Sequence, residues 1–364
     1  MKIIQLLPAL EFGGVERGTV DLSEALVNLN HESIVVSGGG RMTKLLHQHE
    51  ARHIDLNISK KSIYSFMKYK RLADIYKDLK PDIVHIRSRF PAWIHMFAMN
   101  KLSKSEKPIT VSTFHGLYSK PWYSKSMAKA DAIISVSRTV KDYISNTYKI
   151  SPEEVTNIYR GCDTIKFNKN QLNQEWLDQW YKEYPTTRNK KILLMPTRIT
   201  SWKGIEYFLE LLSLLQDDAV CGLIVGPIPK NKNNYFKRLL SQSRRLKLTD
   251  QNLVFTGGRD DIEEVYKLSD VVFNLSTKPE PFGRTIIEAV ASGCSVVGWN
   301  RGGVNESLSE INSSGIVQYG DLRQLKDKTL SLLENPDNLV LPDIFTKQYQ
   351  TTRTIELYQS LLTR

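Results

Sequence analysis

The chain reads as an α/β protein built from two Rossmann-like domains in tandem. Three observations carry that reading: two successive series of short apolar runs alternating with amphipathic stretches, a polar break between the series, and a length of 364 residues. That length favours two domains over one. Alternation of strands and helices predicts parallel sheets wrapped by helices on both faces.

In the first series, strands are expected at residues 2–7, 33–37, 53–57, 83–87, 109–114, 132–136 and 155–159, where apolar and β-branched residues cluster. Helical periodicity falls between them at 15–29, 63–79 and 138–148. The run 2–7 follows Met1-Lys2 directly, so it reads as a first strand and not as a leader peptide. Residues 169–189 are polar, lack a strand pattern and are interrupted by Pro185-Thr186-Thr187; they read as the connection between domains. The second series gives strands at 192–196, 220–225, 253–256, 271–275, 295–299 and 315–317. Helices are expected at about 204–216, 233–247, 260–268, 284–291 and 321–334. A last amphipathic helix spans 345–362, beyond Pro342.

Composition narrows the class. Hydrophobic residues make up 41%, enough for ordinary cores, and no run of 18 apolar residues occurs, so no spanning helix is expected. Cys162, Cys221 and Cys294 are odd in number and far apart, which fits reduced, buried thiols in a cytoplasmic protein and not a disulfide framework. The net charge of +11 is uneven: residues 1–170 hold 26 Lys and Arg against 16 Asp and Glu, the remainder 24 against 23. Such asymmetry points to a polyanionic partner for the first half, nucleic acid or an anionic membrane surface. Two basic-aromatic stretches there, 60–71 and 118–129 with Trp122 and Tyr123, suit an anionic membrane interface. They also fit ordinary amphipathic elements with solvated lysines.

The most informative stretch is Pro279-Glu280-Pro281-Phe282-Gly283-Arg284-Thr285-Ile286-Ile287-Glu288. Each proline pushes the residue before it out of helical geometry, so Glu280 belongs to a loop. Thr285 to Ala291 reads as a helix, stopped by Ser292-Gly293. Two carboxylates eight residues apart on one helix would be separated by ~12 Å along its axis. Paired carboxylates of a retaining glycosidase stand about 5–5.5 Å apart. Two separate contacts on one elongated ligand fit better, with phosphates at the helix N-terminus between them.

With Pro281-Phe282-Gly283, Glu288-Ala289, Ser292-Gly293 and Gly302-Gly303-Val304-x-Glu306 around it, the segment resembles the Glu-x7-Glu motif of retaining glycosyltransferases of glycosyltransferase family 4. The resemblance is dense from Lys191 to Ser307 and thinner before it. It implies the GT-B architecture, two Rossmann-like domains facing each other across a cleft. Residues 1–170, joined by the terminal helix at about 345–364, would bind the acceptor; residues 186–340 would bind the nucleotide-sugar donor. Glu280 would contact hydroxyls of the transferred sugar and help hold the oxocarbenium-like transition state. Glu288 would bond ribose hydroxyls, and backbone amides near Phe282, Gly283, Arg284 and Thr285 would meet sugar and phosphates.

Thr197-Arg198 ends a strand and Lys203-Gly204 opens a helix, similar to the family's element whose Arg and Lys contact the donor diphosphate, although Pro196-Thr197 replaces the usual glycine. Neutralising a pyrophosphate leaving group is what two cations and a helix N-terminus can do without a metal. The chain has no Asp-x-Asp, its seven histidines form no ligand cluster, and His47-x-His49 falls in a helical segment, so neither metal nor other cofactor is expected. His115, at the end of a strand, matches a histidine that lies near the donor sugar in similar enzymes; it also fits a histidine that merely satisfies backbone groups. Gly13-Gly14-Val15-Glu16-Arg17-Gly18 lacks the G-x-G-x-x-G fingerprint, and the second strand ends without an acidic residue, which argues against an NAD site there. In the family the Gly14 loop lies near the donor phosphates; a simple tight turn explains it as well. The base is expected near Gly226-Pro227 and Gly257-Gly258-Arg259, where Arg259 could equally be a surface cation. Tyr159-Arg160-Gly161-Cys162-Asp163 stands where the family has Asn-Gly-x-Asp, and Arg160 is a departure without a reading.

The expectation is therefore a metal-independent retaining transferase. It would pass a sugar, from a UDP-sugar by preference, to a glycan or lipid-linked glycan of the bacterial envelope, capsule or lipopolysaccharide. It would act in the cytoplasm, with peripheral contact on the anionic inner membrane and none with nucleic acid. The alternatives are a nucleotide-sugar epimerase of the same fold, a basic nucleic-acid- or membrane-binding protein, and a catalytically dead glycan-binding homologue.

Overall fold

A computed structural model describes residues 1–11, 13–59, 62–229 and 232–363. Lys60 and Lys61, at the head of the first basic-aromatic stretch, lie outside the described residues. The chain forms two compact units, Met1–Gly161 with Lys347–Arg364, and Cys162–Thr346.

The first unit is built on a seven-stranded parallel sheet in the order β3-β2-β1-β4-β5-β6-β7. Its strands are β1 Lys2–Leu6, β2 Glu32–Ser37, β3 Arg52–Asp55, β4 Ile83–Ile86, β5 Ile109–Phe114, β6 Ala132–Ser135 and β7 Val155–Asn157. Continuous burial along β1, β2, β4 and β5 is what a sheet covered on both faces demands. Helix Gly14–Asn28 packs Leu22 and Leu26 against Ile3, Ile83 and Val111, and the terminal helix Lys347–Leu362 adds Ile355, Tyr358 and Leu361 to the same cluster. Polar pins hold that helix: Tyr358 OH lies 2.5 Å from His85 Nδ1, and Gln350 Oε1 accepts from Gly161 N at 2.6 Å. The expected helix 63–79 is divided at Lys68 into Ile63–Met67 and Tyr69–Leu79.

The second unit carries a six-stranded parallel sheet, β10-β9-β8-β11-β12-β13. The strands are β8 Lys191–Pro196, β9 Val220–Val225, β10 Leu253–Gly257, β11 Val271–Asn274, β12 Ser295–Trp299 and β13 Ile316–Val317. Its core joins Phe208 and Leu212 from helix Ile205–Leu215 to Leu193, Ile224, Phe273 and Trp299 on the strands.

Two sequence expectations need correction here. The first unit ends at Gly161 and not at 170, because Cys162 N donates to Phe345 O at 2.7 Å and Phe167 packs edge-on against Tyr266 at 5.7 Å, both within the second unit. The stretch read as a connection holds helix Gln174–Glu183, capped by Asn173, with Trp176 stacked on buried Trp180 at 5.2 Å. Trp176, Leu177, Trp180 and Tyr181 share one face of this helix, and the stacked indoles anchor it. Helix Gly302–Ile311 was also not anticipated, since paired glycines mask a helix start.

Candidate active site

In the second unit the site grows from the ends of β8 and β11. The chain leaves β8 through Thr197-Arg198, turns in the short 3-10 segment Ser201–Lys203 and enters helix Ile205–Leu215 at Gly204. Gly204 has φ +73°, and a Cβ there would lie 1.8 Å from Leu275 O, so only glycine lets this turn sit on the exit of β11. The close approach delivers the Lys203 ammonium to the loop after β11. Lys203 Nζ lies 2.6 Å from Glu280 Oε1, with side chains 15% and 10% exposed. Ser276 Oγ donates to the same carboxylate oxygen, and Nζ also sits 4.1 Å from the centre of the Trp202 ring.

The Glu280 loop is held from behind. Gly303 N donates to Glu280 O at 2.8 Å, and a Cβ on Gly303 would come 2.7 Å from Phe282 Cα. The paired glycines thus allow helix Gly302–Ile311 to pack directly on the loop backbone. Phe282 is buried against Phe345 at 5.7 Å. Helix Arg284–Ala291 then starts at Gly283 without a side-chain cap, and Thr285 Oγ1 accepts from Asn274 Nδ2 at 3.1 Å. Such a start offers backbone N–H groups and the positive end of the helix dipole to an anion.

Glu288 lies on this helix and accepts from Arg284 Nη2 at 2.8 Å and from Tyr266 OH at 3.2 Å. Burial first, and then the Glu288 charge, pushes the Tyr266 phenol well up, so it stays a donor. Arg198 is exposed, with no carboxylate in ion-pair range among the described residues. Arg259 is engaged elsewhere: its guanidinium forms a two-point fork on Asp261 at 2.8 and 2.7 Å and lies 5.0 Å from the Trp180 ring centre.

The first unit holds a separate group. His115 follows β5, and its Nδ1 lies 3.1 Å from Arg160 Nη1; Arg160 Nη2 donates to the carbonyl of Gly14, the first residue of helix Gly14–Asn28. Arg87, buried at the end of β4, donates from Nη1 to Gln5 Oε1 at 3.1 Å. Both guanidiniums approach Gly18, where a Cβ would stand 3.3 Å from Arg87 Nη2 and 3.4 Å from Arg160 Nη2. Burial, then Arg160, Arg87 and His85, pushes the His115 imidazole well below its ordinary value, so it is neutral.

The structure therefore joins Lys203 to Glu280, Arg284 to Glu288, and His115 to Gly14 by way of Arg160, whereas Arg259 belongs to an aromatic cluster. Sequence reasoning missed Ser276, Tyr266, Arg87 and Arg160 as members of these groups. Arg87 left a signal, being a charge at the end of an apolar run, and Arg160 left one as a departure from the family pattern; Ser276 and Tyr266 left none. Among the described residues no group of three or more His, Cys, Asp and Glu side chains comes together to hold a metal, and no helix is long and apolar enough to cross a membrane. The three cysteines are buried and free; burial pushes the Cys221 thiol up to about 11 and those of Cys162 and Cys294 further.

Two parallel α/β units, the second presenting Lys, Glu and a helix start without a side-chain cap at its strand ends, match known proteins along nearly the whole chain. Residues 12–166 match the model of Glycosyltransferase Family 4, and residues 178–348 that of Glycosyl transferases group 1. A glycosyltransferase from Rickettsia africae is 31% identical, with 99% of this chain and 98% of that chain covered and a TM-score of 0.86. Anabaena HepE, solved with UDP and glucose, shares the fold at 20% identity and a TM-score of 0.81, over 99% of this chain and all of that one. N-acetyl-alpha-D-glucosaminyl L-malate synthase of Bacillus anthracis is 22% identical over 334 residues, 87% of this chain and 84% of its own length. The molecule is thus a glycosyltransferase of the GT-B fold class. Within that class the chain belongs to glycosyltransferase family 4.

Proposed function

We propose that this enzyme moves a sugar from a nucleoside-diphosphate sugar, a UDP-sugar by preference, to a glycan or lipid-linked glycan acceptor of the bacterial envelope. Transfer proceeds with retention and without a metal. The observation that carries the reading is the Lys203–Glu280 pair: a cation suited to a diphosphate and a carboxylate suited to a developing oxocarbenium stand one hydrogen bond apart, at 2.6 Å. Arg198, Lys203 and the uncapped start of helix Arg284–Ala291 meet the diphosphate charge, which preorganised donors stabilise as it grows. Glu280 faces the positive charge at C1, and Glu288 takes the ribose hydroxyls. The bond from C1 to the diphosphate oxygen breaks while the acceptor oxygen bonds to C1 on the same face, and the acceptor proton passes to the departing phosphate oxygen. The UDP complex of HepE supports uridine as the first base to test.

The first unit takes the acceptor and provides a membrane-facing surface. Ile63, Tyr64 and Trp122 are exposed at 85%, 79% and 69%, beside Lys68, Lys70, Arg71, Lys120 and Lys125. Exposed apolar side chains interspersed with cations along the chain suit an anionic lipid interface.

A thermal-shift panel with UDP, GDP, ADP and dTDP tests the donor site. A ligand at ~100 times its Kd adds ~2.7 kcal/mol of stability, an easily read shift. A rise in Tm with UDP alone supports the reading. No shift with any of the four, nor with the corresponding nucleotide sugars, overturns it.

A further inference from the structure

Arg160 stands where the family pattern has asparagine, and its surroundings assign it a task. The side chain is buried, 6% exposed, between the end of β7 and the first turn of helix Gly14–Asn28. Its Nη1 lies 3.1 Å from His115 Nδ1. A guanidinium has five N–H donors and no acceptor, and it keeps its charge in proteins. Nδ1 must therefore be the acceptor in this bond, and the single proton of the neutral ring resides on Nε2. That Nε2 is buried and has no hydrogen-bond partner among the described residues. A buried N–H without a partner is costly, and a ligand oxygen at that position would satisfy it.

We propose that Arg160 is a positioning residue: it locks His115 in the Nε2–H tautomer, so that the ring offers one fixed donor to an oxygen of the bound sugar nucleotide or acceptor. The inference rests on the reading of His115 as a substrate contact and extends it to the proton's location and the group that sets it. The surroundings agree. His115 is faced by Arg160 from beyond β7, by Arg87 and His85 from β4, and by Tyr118, whose OH accepts from His115 N at 3.3 Å while Arg89 covers its ring at 4.6 Å. Glu16 and Asp21 of helix Gly14–Asn28 act on Arg87. The cations all oppose a second proton on the ring. A protonated ring would also present N–H to N–H at the Arg160 contact. Gly18 completes the arrangement by leaving room for both guanidiniums.

The test is the tautomer itself. Full-length protein carrying 15N-labelled histidine gives multiple-bond 1H–15N spectra, with the His115 ring assigned by its loss in His115→Gln. The expected result is a protonated, pyrrole-type Nε2 and an unprotonated Nδ1, unchanged from pH 8 to pH 5.5. In Arg160→Gln the ring should gain a proton within that range or mix tautomers. Its kcat should fall by up to about 100-fold, as misplaced contacts do, while UDP binding changes little. Arg160→Lys, which keeps a cationic donor, should restore the tautomer in part. A wild-type ring protonated on Nδ1, or one of mixed tautomer, overturns the proposal even if Arg160→Gln fails to fold. Unaltered spectra and kcat in a folded Arg160→Gln do the same. A failed nucleotide shift with the Nε2–H tautomer intact would count against the donor reading alone.

Discussion

Lys203 Nζ and Glu280 Oε1 meet at 2.6 Å although 77 residues separate them in the chain. One comes from the turn after β8 and the other from the loop after β11, two strands that are neighbours in the sheet. The contact matters because each side chain is largely buried, so each is the other's main counter-charge.

Removing one member leaves an uncompensated buried charge. Glu280→Ala and Lys203→Ala should each lower stability by about 2–3 kcal/mol in urea melts, and the double variant should lose less than the sum of the two. Full additivity would show that the pair is not coupled. In assays, Glu280→Ala should abolish transfer with the fold intact, and Lys203→Ala should chiefly weaken UDP binding. Normal turnover in the first variant would refute the assigned role of Glu280.

Two glycines with similar φ should respond differently to alanine. Gly204 (φ +73°) has Leu275 O in the way of a Cβ at 1.8 Å, whereas Gly257 (φ +75°) has nothing within 4 Å. Gly257→Ala should cost only the left-handed backbone penalty, about 1–2 kcal/mol. Gly204→Ala should cost clearly more and displace Lys203, so UDP affinity falls as well. Equal losses would contradict the geometry.

Stability should decline as the pH falls below about 6.5. Burial lowers the pKa of His85, His95 and His115, that of His95 to about 3. In that window the unfolded chain binds protons at these rings while the native one does not, so the native state loses ground as acid is added. His95 is held between Tyr76 OH at 2.8 Å and Thr110 Oγ1 at 3.0 Å. His95→Gln should remove about one proton from the slope of stability against pH, ~1.4 kcal/mol per pH unit. An unchanged slope between pH 6 and pH 4.5 would show that His95 does not contribute.

The exposed aromatic surface has its own test. Ile63→Ser with Trp122→Ser should reduce sedimentation with vesicles containing anionic phospholipid, and high salt should weaken what remains. Equal binding by variant and wild type would remove these side chains from any membrane contact. UDP-induced stabilisation should be the same in both proteins.

Much was legible from residue order, and for identifiable reasons. The strands announce themselves because a parallel sheet buried on both faces needs continuous apolar runs. The loop around Glu280 announces itself because proline and glycine act locally on the backbone. The family resemblance rested on the same local features. Helix Gln174–Glu183 is easily overlooked because polar and charged residues surround its short apolar face of Trp176, Leu177, Trp180 and Tyr181, so the stretch as a whole reads as a linker.

By itself, the sequence determined the two α/β units, the loop carrying Glu280, the helix that follows it and the candidate residues at strand ends. Each of these follows from local propensity and burial pattern. Only the tertiary structure decided the pairings: Lys203 with Glu280, Arg259 with Asp261 rather than with that pair, and Arg160 with His115. These contacts join residues brought close by strand order or loop return, and the charge or tautomer of each group depends on what then surrounds it. No reading of neighbours along the chain contains that information. It appears only when the sheet order sets β8 beside β11, and when the segment after β7 brings Arg160 to the end of β5.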